Sequence, residues 1–450
     1  MSGVPVSPGR RSLVVIGETN LARRVCASLQ EGGHSVQHLT EPRDEELRTA
    51  MSARPHGVAV LLHDDVAALR YALAIAGISA DVPIIVTIFD RTVAHELLRL
   101  LPQCDVTSPA ALVAPALAGP CVDAGLTALR HDAHGPRAVR VVDREPRTEP
   151  WRPGRASPPA RLRRLAGQLR PHDAGTRIML AGMAGMLAVL LGDWVWLLGL
   201  GHAPAEAFFD AARVVTTVGP AAAPHHSALY EAVSGAAMLG TVIFSAMFTA
   251  GLVDRMLGPR LVGLIGPRTV PRFGHVIVVG IGQVGLRLCR ELQLLGVPVV
   301  GVERDPSAPN VRLARANGIP VVTGHGGDRA VLERLHLDRA TALAAVGSND
   351  LDNIAVAIAA HGVSPETRVV LRAGEHEAIA ETRSLLPLGT IRDVTSLAAA
   401  YVLARLLGRP ATGVTAHRHR VFVETSGDGF EVWPLAARVG CCHVDVAVSV

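Results

Sequence analysis

The stretch "HVIVVGIGQVGLRLCREL", residues 275–292, decides the fold. It opens with a short unbroken apolar run and closes with apolar residues at helical spacing, so it reads as a buried strand followed by a helix. Between them stand Gly280, Gly282 and Gly285, the G-x-G-x-x-G pattern in the strand–turn–helix setting that gives it meaning. Gly280 allows the tight turn, Gly282 clears the path of a pyrophosphate to the backbone, and Gly285 lets the helix pack close to the sheet. Gln283 and Val284 open the helix, whose first N–H groups and partial positive charge favour a phosphate. The following "VPVVGVERD" ends its apolar run at Glu303, placed where a carboxylate accepts hydrogen bonds from ribose hydroxyls. Arg304 beside it leaves a 2′-phosphate open. The motif predicts a bound adenine nucleotide; the alternative is a fold that keeps the glycines for packing alone.

The same pattern occurs earlier in the chain. "SLVVIGETNLARRVCASLQEGGHSV" (12–36) aligns with "HVIVVGIGQVGLRLCRELQLLGVPV" (275–299), and a later "DVTS" tetrad begins at both Asp105 and Asp393. This is an internal repeat of a whole domain. Strands alternating with helices imply a doubly wound parallel sheet in each copy. The N-terminal copy keeps Gly17 but has Thr19 and Ala22 at the other glycine positions, with Thr40 where Glu303 stands and Glu41 after it. Cβ atoms at the turn obstruct a pyrophosphate, so this copy reads as structural and nucleotide-free.

Between the copies lie two apolar segments, Ile178–Leu200 and Tyr230–Val253. Each makes a helix on the order of 35 Å long, enough to cross the hydrocarbon core with some tilt. Arg161, Arg163, Arg164, Arg170 and Arg177 precede the first; Arg255, Arg260, Arg268 and Arg272 follow the second; the connection holds only Arg213. The positive-inside rule then puts both termini in the cytoplasm. Trp194 and Trp196 fall at the outer interface, and Asp193 at the same helix end reads as reaching water, with a buried functional carboxylate as the alternative. Gly235 and Gly240, in the second span, read as a gating hinge or as packing sites. His225 and His226 lie on the outer loop and read as solvated, with pH sensing as the alternative.

Composition agrees with soluble domains joined to a small membrane part: hydrophobic residues are 49%, charged residues 19% and mean hydropathy +0.31 over 450 residues. A net charge of +4 gives no argument for nucleic acid. Every basic side chain among lysine and arginine is arginine, which reads as coding bias. The six cysteines, Cys26, Cys104, Cys121, Cys289, Cys441 and Cys442, have no metal-ligand spacing and read as reduced thiols. The N-terminus lacks an apolar core of signal-peptide length.

The repeated units resemble the domains that regulate potassium conductance, found also in Trk-type potassium-uptake regulators. The resemblance covers most of 12–119 and 274–408 and rests on Gly280, Gly282, Gly285, Glu303, Gly324 and "SNDLDN", with Ser348, Asp350 and Asn353. It implies that these residues line a nucleotide site at the C-terminal ends of the strands. His325 stands where family members carry aspartate. NAD(H), ADP/ATP and a cation all remain open as ligands.

The segment between the spans, "PAEAFFDAARVVTTVG" (204–219), resembles the pore helix and filter of a two-helix potassium channel. Pro204 suits a first turn and Glu206 its positive end. Thr216, Thr217, Val218 and Gly219 match the start of the family filter T-T-V-G-Y-G, where threonine gives a hydroxyl, carbonyls replace ion hydration and glycine supplies unusual backbone angles. Pro220 and Ala221 depart from the family's tyrosine and second glycine. A filter needs four copies around one axis, so the resemblance implies a homotetramer.

The fold class read from the sequence is therefore α/β plus transmembrane α: two doubly wound Rossmann-like domains flanking a two-helix membrane pore unit. The expected parts are an N-terminal regulatory domain at 1–143, a linker at 144–176, the pore unit at 177–256, a linker at 257–273, a nucleotide-binding domain at 274–409 and a β-rich tail at 410–450. The expected function is a nucleotide-regulated potassium channel of the cell (inner) membrane, multi-pass, with K⁺ as permeant ion and no enzymatic activity. A non-conducting, membrane-anchored nucleotide sensor acting on a partner transporter is the alternative. A nicotinamide oxidoreductase comes third, because no acid–base pair accompanies the glycine motif.

Overall fold

The structure, a computed structural model, describes residues 10–132, 135–152, 174–219, 228–257, 271, 273–374, 389–418, 420–426 and 429–434. Pro220, Ala221, His225, His226, Cys441 and Cys442, most of both linkers and the last strand expected in the tail lie outside these residues. The chain divides into two compact units, one joining Met1–Ser157 to Pro271–Val450 and one spanning Pro158–Val270.

The first unit begins with β1 (Ser12–Ile16), α1 (Asn20–Glu31), β2 (Ser35–Leu39), α2 (Asp44–Ser52), β3 (Gly57–Val60), α3 (Asp65–Ile78), β4 (Ile84–Thr87), α4 (Arg91–Leu100), β5 (Asp105–Thr107) and α5 (Pro109–Val122). The strands pair in parallel in the order β2-β1-β3-β4-β5. β3 and β4 are buried along their whole length, which is why they read as continuous apolar runs rather than alternating ones. Asp64 and Asp90 cap α3 and α4 by accepting their first-turn N–H groups, the usual use of aspartate at a helix start.

After α5 the chain forms an antiparallel ribbon, β6 (Leu126–Asp132), β7 (Gly135–Val142) and β8 (Glu145–Pro150). This corrects the linker expected from residue 144: its opening residues pair with β7, from Val142 opposite Glu145 to Arg137 opposite Pro150. The proline- and arginine-rich composition hid the strand. Proline is tolerated there because β8 is an edge strand.

Between the halves come α6 (Ala174–Gly199), α7 (Pro204–Val215) and α8 (Ala228–Leu257) of the second unit, and the C-terminal half then repeats the plan with β9 (Val276–Val279) and α9 (Gln283–Leu294). It continues through β10 (Val299–Glu303), α10 (Pro309–Ala316), β11 (Val321–Thr323), α11 (Arg329–Arg334), β12 (Ala342–Ala345) and α12 (Asp350–Val363). It ends with β13 (Arg368–Ala373), β14 (Thr390–Asp393) and α13 (Val394–Leu406). Its sheet has the order β11-β10-β9-β12-β13-β14. The N-terminal copy lacks a counterpart to β11, because a single helix, α2, connects its second and third strands. A second ribbon, β15 (Ala411–His417), β16 (Arg420–Thr425) and β17 (Gly429–Trp433), follows α13 as the first follows α5.

The two halves exchange their last helices. Val113 and Leu117 of α5 share a buried cluster with Val276, Leu288 and Leu292 of the C-terminal half. Val402, Leu403 and Leu406 of α13 share one with Leu13, Val15 and Val25 of the N-terminal half. Burying each such side chain contributes about 1.5–3 kcal/mol, and Leu292→Ala costs roughly 2–5 kcal/mol through the cavity it leaves.

Polar contacts fix the exchange. Pro120 has no N–H, so it leaves the Ala116 carbonyl without its helical donor. Arg392 Nε from the other half donates to that oxygen at 3.1 Å, and Arg368 donates to the Pro120 carbonyl at 3.1 Å. The two "DVTS" aspartates each meet an arginine of the opposite half, Asp105 with Arg405 and Asp393 with Arg24.

The second unit holds α6 (Ala174–Gly199), α7 (Pro204–Val215) and α8 (Ala228–Leu257). Arg177–Gly199 and Ala228–Val253 are long and apolar enough to cross a membrane, and only 11% of the apolar stretch in each is buried within the structure. That exposure counts against core helices of a water-soluble domain, which bury most of their surface. The helices touch through small residues. A Cβ on Gly182 would lie 2.4 Å from the Phe244 carbonyl, and one on Gly185 2.4 Å from the Phe244 ring. Glycines at such crossings let the backbones approach. Gly235 and Gly240 are not at this contact: nothing lies within 4 Å of a Cβ on the first, and only the Phe244 ring of the same helix meets one on the second.

Candidate functional site

At the end of β9 the backbone turns at Gly280, where φ is +91° and a Cβ would lie 2.8 Å from Gly347 Cα. Only glycine fits both constraints. A Cβ on Gly285 would stand 1.9 Å from the Gly280 carbonyl, so this residue closes the loop from within and does not face the cavity. Gly282 is the opposite case: a Cβ there meets nothing within 4 Å. It is the N-cap of α9 and supplies no side-chain cap. The first helical bond runs from the Leu286 N–H to the Gly282 carbonyl at 3.0 Å. The N–H groups of Gln283, Val284 and Gly285 therefore lack intrahelical acceptors.

This helix start opens into a cavity of about 550 Å³, lined also by Glu303, Arg304, Gly324, His325 and Ser348. The geometry is that of an anion cradle, with free N–H groups and the positive end of the helix dipole behind them.

Glu303 is tied to the loop it was expected to serve. Its Oε2 accepts the Ile281 N–H at 2.8 Å, and its Oε1 accepts the N–H groups of Arg304 at 2.8 Å and Asp305 at 3.2 Å. A carboxylate has about four lone-pair sites, so acceptor capacity remains for ribose hydroxyls. His325 lines the same rim, with Nδ1 accepting the Gly327 N–H at 3.1 Å.

Asn353 is 2% exposed and works as a clamp. Its Oδ1 accepts the Gly347 N–H at 2.9 Å, and its Nδ2 donates to the carbonyls of Gly347 at 3.1 Å and Arg372 at 3.2 Å. Asp350 departs from expectation: it is fully buried and does not line the cavity. As the first residue of α12 it turns inward, where Oδ2 accepts the Gly374 N–H at 3.2 Å. Asn349 and Asp352, its neighbours in "SNDLDN", take the lining positions. Helical phase separates these residues, and the motif alone does not fix that phase.

In the N-terminal copy, Gly17 keeps a φ of +130°. Thr19 occupies the position of Gly282 and is the N-cap of α1. Its Oγ1 accepts the Ala22 N–H at 3.1 Å and donates to the Leu61 carbonyl at 3.0 Å. A side chain of the chain itself thus satisfies a donor that an anion would use.

The other sequence-predicted site lies in the second unit. α7 begins at Pro204 with Glu206 in its first turn. The Trp194 indole donates to the Pro204 carbonyl at 3.2 Å, and Leu197, Ala207 and Tyr230 form a buried cluster. Thr216 ends α7, and the turn after it is closed rather than extended. The Val218 N–H bonds the Arg213 carbonyl at 2.9 Å and the Thr217 N–H bonds the Val214 carbonyl at 3.0 Å, the paired bonds of a Schellman cap. Thr217 has φ +59°, a left-handed conformation that β-branched residues rarely adopt. Gly219, at φ +94°, has no such penalty. In the single chain, Thr216–Val218 are a helix-ending turn and not an extended row of carbonyls.

Among the described residues no group of three or more His, Cys, Asp or Glu could hold a metal ion. Cys26, Cys104, Cys121 and Cys289 are buried thiols. Burial pushes the Cys104 and Cys121 thiols up to about 12, away from the range of reactive thiolates.

The sheet orders and glycine loops define Rossmann-like domains, and comparisons with known proteins sharpen this. Residues 276–388 match the TrkA-N domain family. The chain is 37% identical over 83 residues to the Trk system potassium uptake protein TrkA of Streptomyces coelicolor, covering 18% of this chain and 37% of that protein. An uncharacterized protein of Methanothermus fervidus is 28% identical over 109 residues, 24% of this chain and 17% of its own length. The chain thus spans well under two thirds of both relatives. Among solved structures, the GsuK RCK domain superposes with a TM-score of 0.50 at 16% identity, covering 88% of this chain and 76% of that one. The GsuK channel gives 0.50 at 15% identity, covering 88% and 64%. At such identity the likeness is one of fold: the α/β halves have the fold of RCK domains.

Proposed function

We propose that the chain is one subunit of a nucleotide-regulated potassium channel, with α6 and α8 spanning the cell membrane and both α/β halves in the cytoplasm. The observation that carries this reading is the order of parts in one chain: an apolar helix, a short helix ending in Thr216–Gly219, a second apolar helix, and then the open α9 N-terminus on its cavity. Four copies arranged as a homotetramer bring the Thr216–Gly219 segments around one axis. The phosphates of NAD(H) or ADP/ATP sit against Gln283 and Val284, and ribose hydroxyls bond Glu303. No catalytic step is assigned to any residue. The TrkA relative, a potassium uptake protein by name, supports potassium as the ion, and the likeness to the GsuK channel supports a channel.

Regulation requires that the nucleotide bind the open and closed arrangements with different affinity. Potassium flux from purified protein in liposomes, with and without NAD(H) or ATP, tests the reading.

A second reading is a non-conducting, membrane-anchored sensor that acts on a partner transporter. The closed Thr216–Val218 turn favours it, since an ion path of carbonyls needs an extended segment. Absence of any potassium current in single-channel recordings of the assembled protein supports this second reading.

A further inference from the structure

The cavity over the α9 N-terminus belongs to both halves of the chain. Besides the residues of the C-terminal copy, it is walled by Asn20, His63 and Phe89 of the N-terminal copy. These sit at the C-terminal edge of the first sheet: Asn20 opens α1, His63 follows β3 and Phe89 follows β4. The degenerate copy therefore turns its own switch-point edge toward the intact one.

The topology also says which part of a ligand this wall faces. In the second sheet, Glu303 and Gly324 end the strands on one side of β9, while Gly347 and Arg372 belong to the β12–β13 side. A dinucleotide crosses such an edge with its first ribose on the Glu303 side and its pyrophosphate at the glycine loop, so its second nucleoside lies over the β12–β13 side. α1 packs on α13, which begins directly after β14 at that far side, and Arg24 of α1 meets Asp393 at the α13 start. Asn20 thus stands next to the half of the site beyond the pyrophosphate.

The side chains suit a flat heterocycle with polar substituents. Phe89 is half-buried with its backbone N–H held by Asp65 Oδ1 at 2.9 Å, so its ring is offered from a fixed backbone. His63 is exposed on the same wall. The loss of the glycine pattern at Thr19 and Ala22 has then a positive use: it removes a competing phosphate site and leaves a wall of side chains.

We infer that the N-terminal copy reads the second nucleoside of a dinucleotide whose first half is held by the C-terminal copy, with Phe89 stacking on its base and Asn20 and His63 bonding its polar edge. This rests on the nucleotide reading of the cavity. It makes NAD(H) a ligand that touches both halves, whereas ADP touches the far wall little.

The test is titration calorimetry of the purified full-length chain with NADH, NAD⁺ and ADP, on the wild type, Phe89→Ala and Asn20→Ala. The two variants sit on different elements, and thermal unfolding checks that each stays folded. The expected result is that each variant weakens NAD(H) binding at least about fivefold more than it weakens ADP binding. Equal effects on NAD(H) and ADP, or none on either, overturn the inference and leave the nucleotide reading standing. A wild-type chain that binds no nucleotide overturns both.

Discussion

The carboxylate of Glu303 accepts the N–H of Ile281 at 2.8 Å, joining the end of β10 to the middle of the glycine loop. The same side chain that is placed to bond ribose therefore also shapes the phosphate cradle. Glu303→Ala removes both functions and is expected to weaken nucleotide binding by about tenfold or more, equivalent to 1.4 kcal/mol or above. Glu303→Gln keeps one oxygen for the Ile281 N–H and is expected to lose less. Equilibrium titration of both variants checks the order.

Gly282 and Gly285 have opposite reasons for being glycine, and mutation separates them. Gly282→Ala adds a methyl to open space in the cavity, so the fold tolerates it while a phosphate loses its approach. Binding is expected to fall about tenfold with little change in thermal stability. Gly285→Ala drives a Cβ into the Gly280 carbonyl, 1.9 Å away, and is expected to destabilise the domain by about 1–3 kcal/mol. Denaturation midpoints measured alongside nucleotide affinity distinguish the two.

Arg392 is 6% exposed and spends its Nε on the carbonyl that Pro120 leaves free. Arg392→Ala strands that buried acceptor, which costs about 1–3 kcal/mol. The double variant Arg392→Ala with Pro120→Ala restores a backbone donor and is expected to recover part of the loss. A double-mutant cycle of unfolding free energies checks the coupling.

His275 opens the deciding stretch and is fully buried, with Nε2 donating to the Leu335 carbonyl at 3.0 Å. Burial pushes its pKa down to about 4 from the ordinary 6.5 of a histidine. Between those values the unfolded chain binds the extra proton and the folded one does not. The neutral side chain's contribution is complete above the unfolded pKa and is lost as pH falls toward the folded one. The total is on the order of 3 kcal/mol. His275→Gln is expected to flatten the pH dependence of stability over this range.

Much of this was legible in the sequence, because the deciding signals are local. The repeat, the parallel sheets and the loop of Gly280, Gly282 and Gly285 follow from apolar runs and glycine spacing. The edge strand β8 was not legible, since "EPRTEP" has linker composition and its pairing depends on β7. The inward turn of Asp350 and the lining role of Asn349 and Asp352 depend on helical phase. The share of Asn20, His63 and Phe89 in the cavity depends on how two halves far apart in the sequence dock. The crossing of α6 and α8 at Gly182 and Gly185 was likewise set by which faces meet, while Gly235 and Gly240 drew attention by residue type alone.

Flux through the assembled protein tests the central claim most directly. Purified chain in liposomes, loaded with potassium and assayed with and without NAD(H), is expected to pass K⁺ at a rate that the nucleotide changes, with the Gly282→Ala channel conducting but needing about tenfold more nucleotide for the same response. No potassium flux under either condition from a folded, nucleotide-binding tetramer contradicts the account.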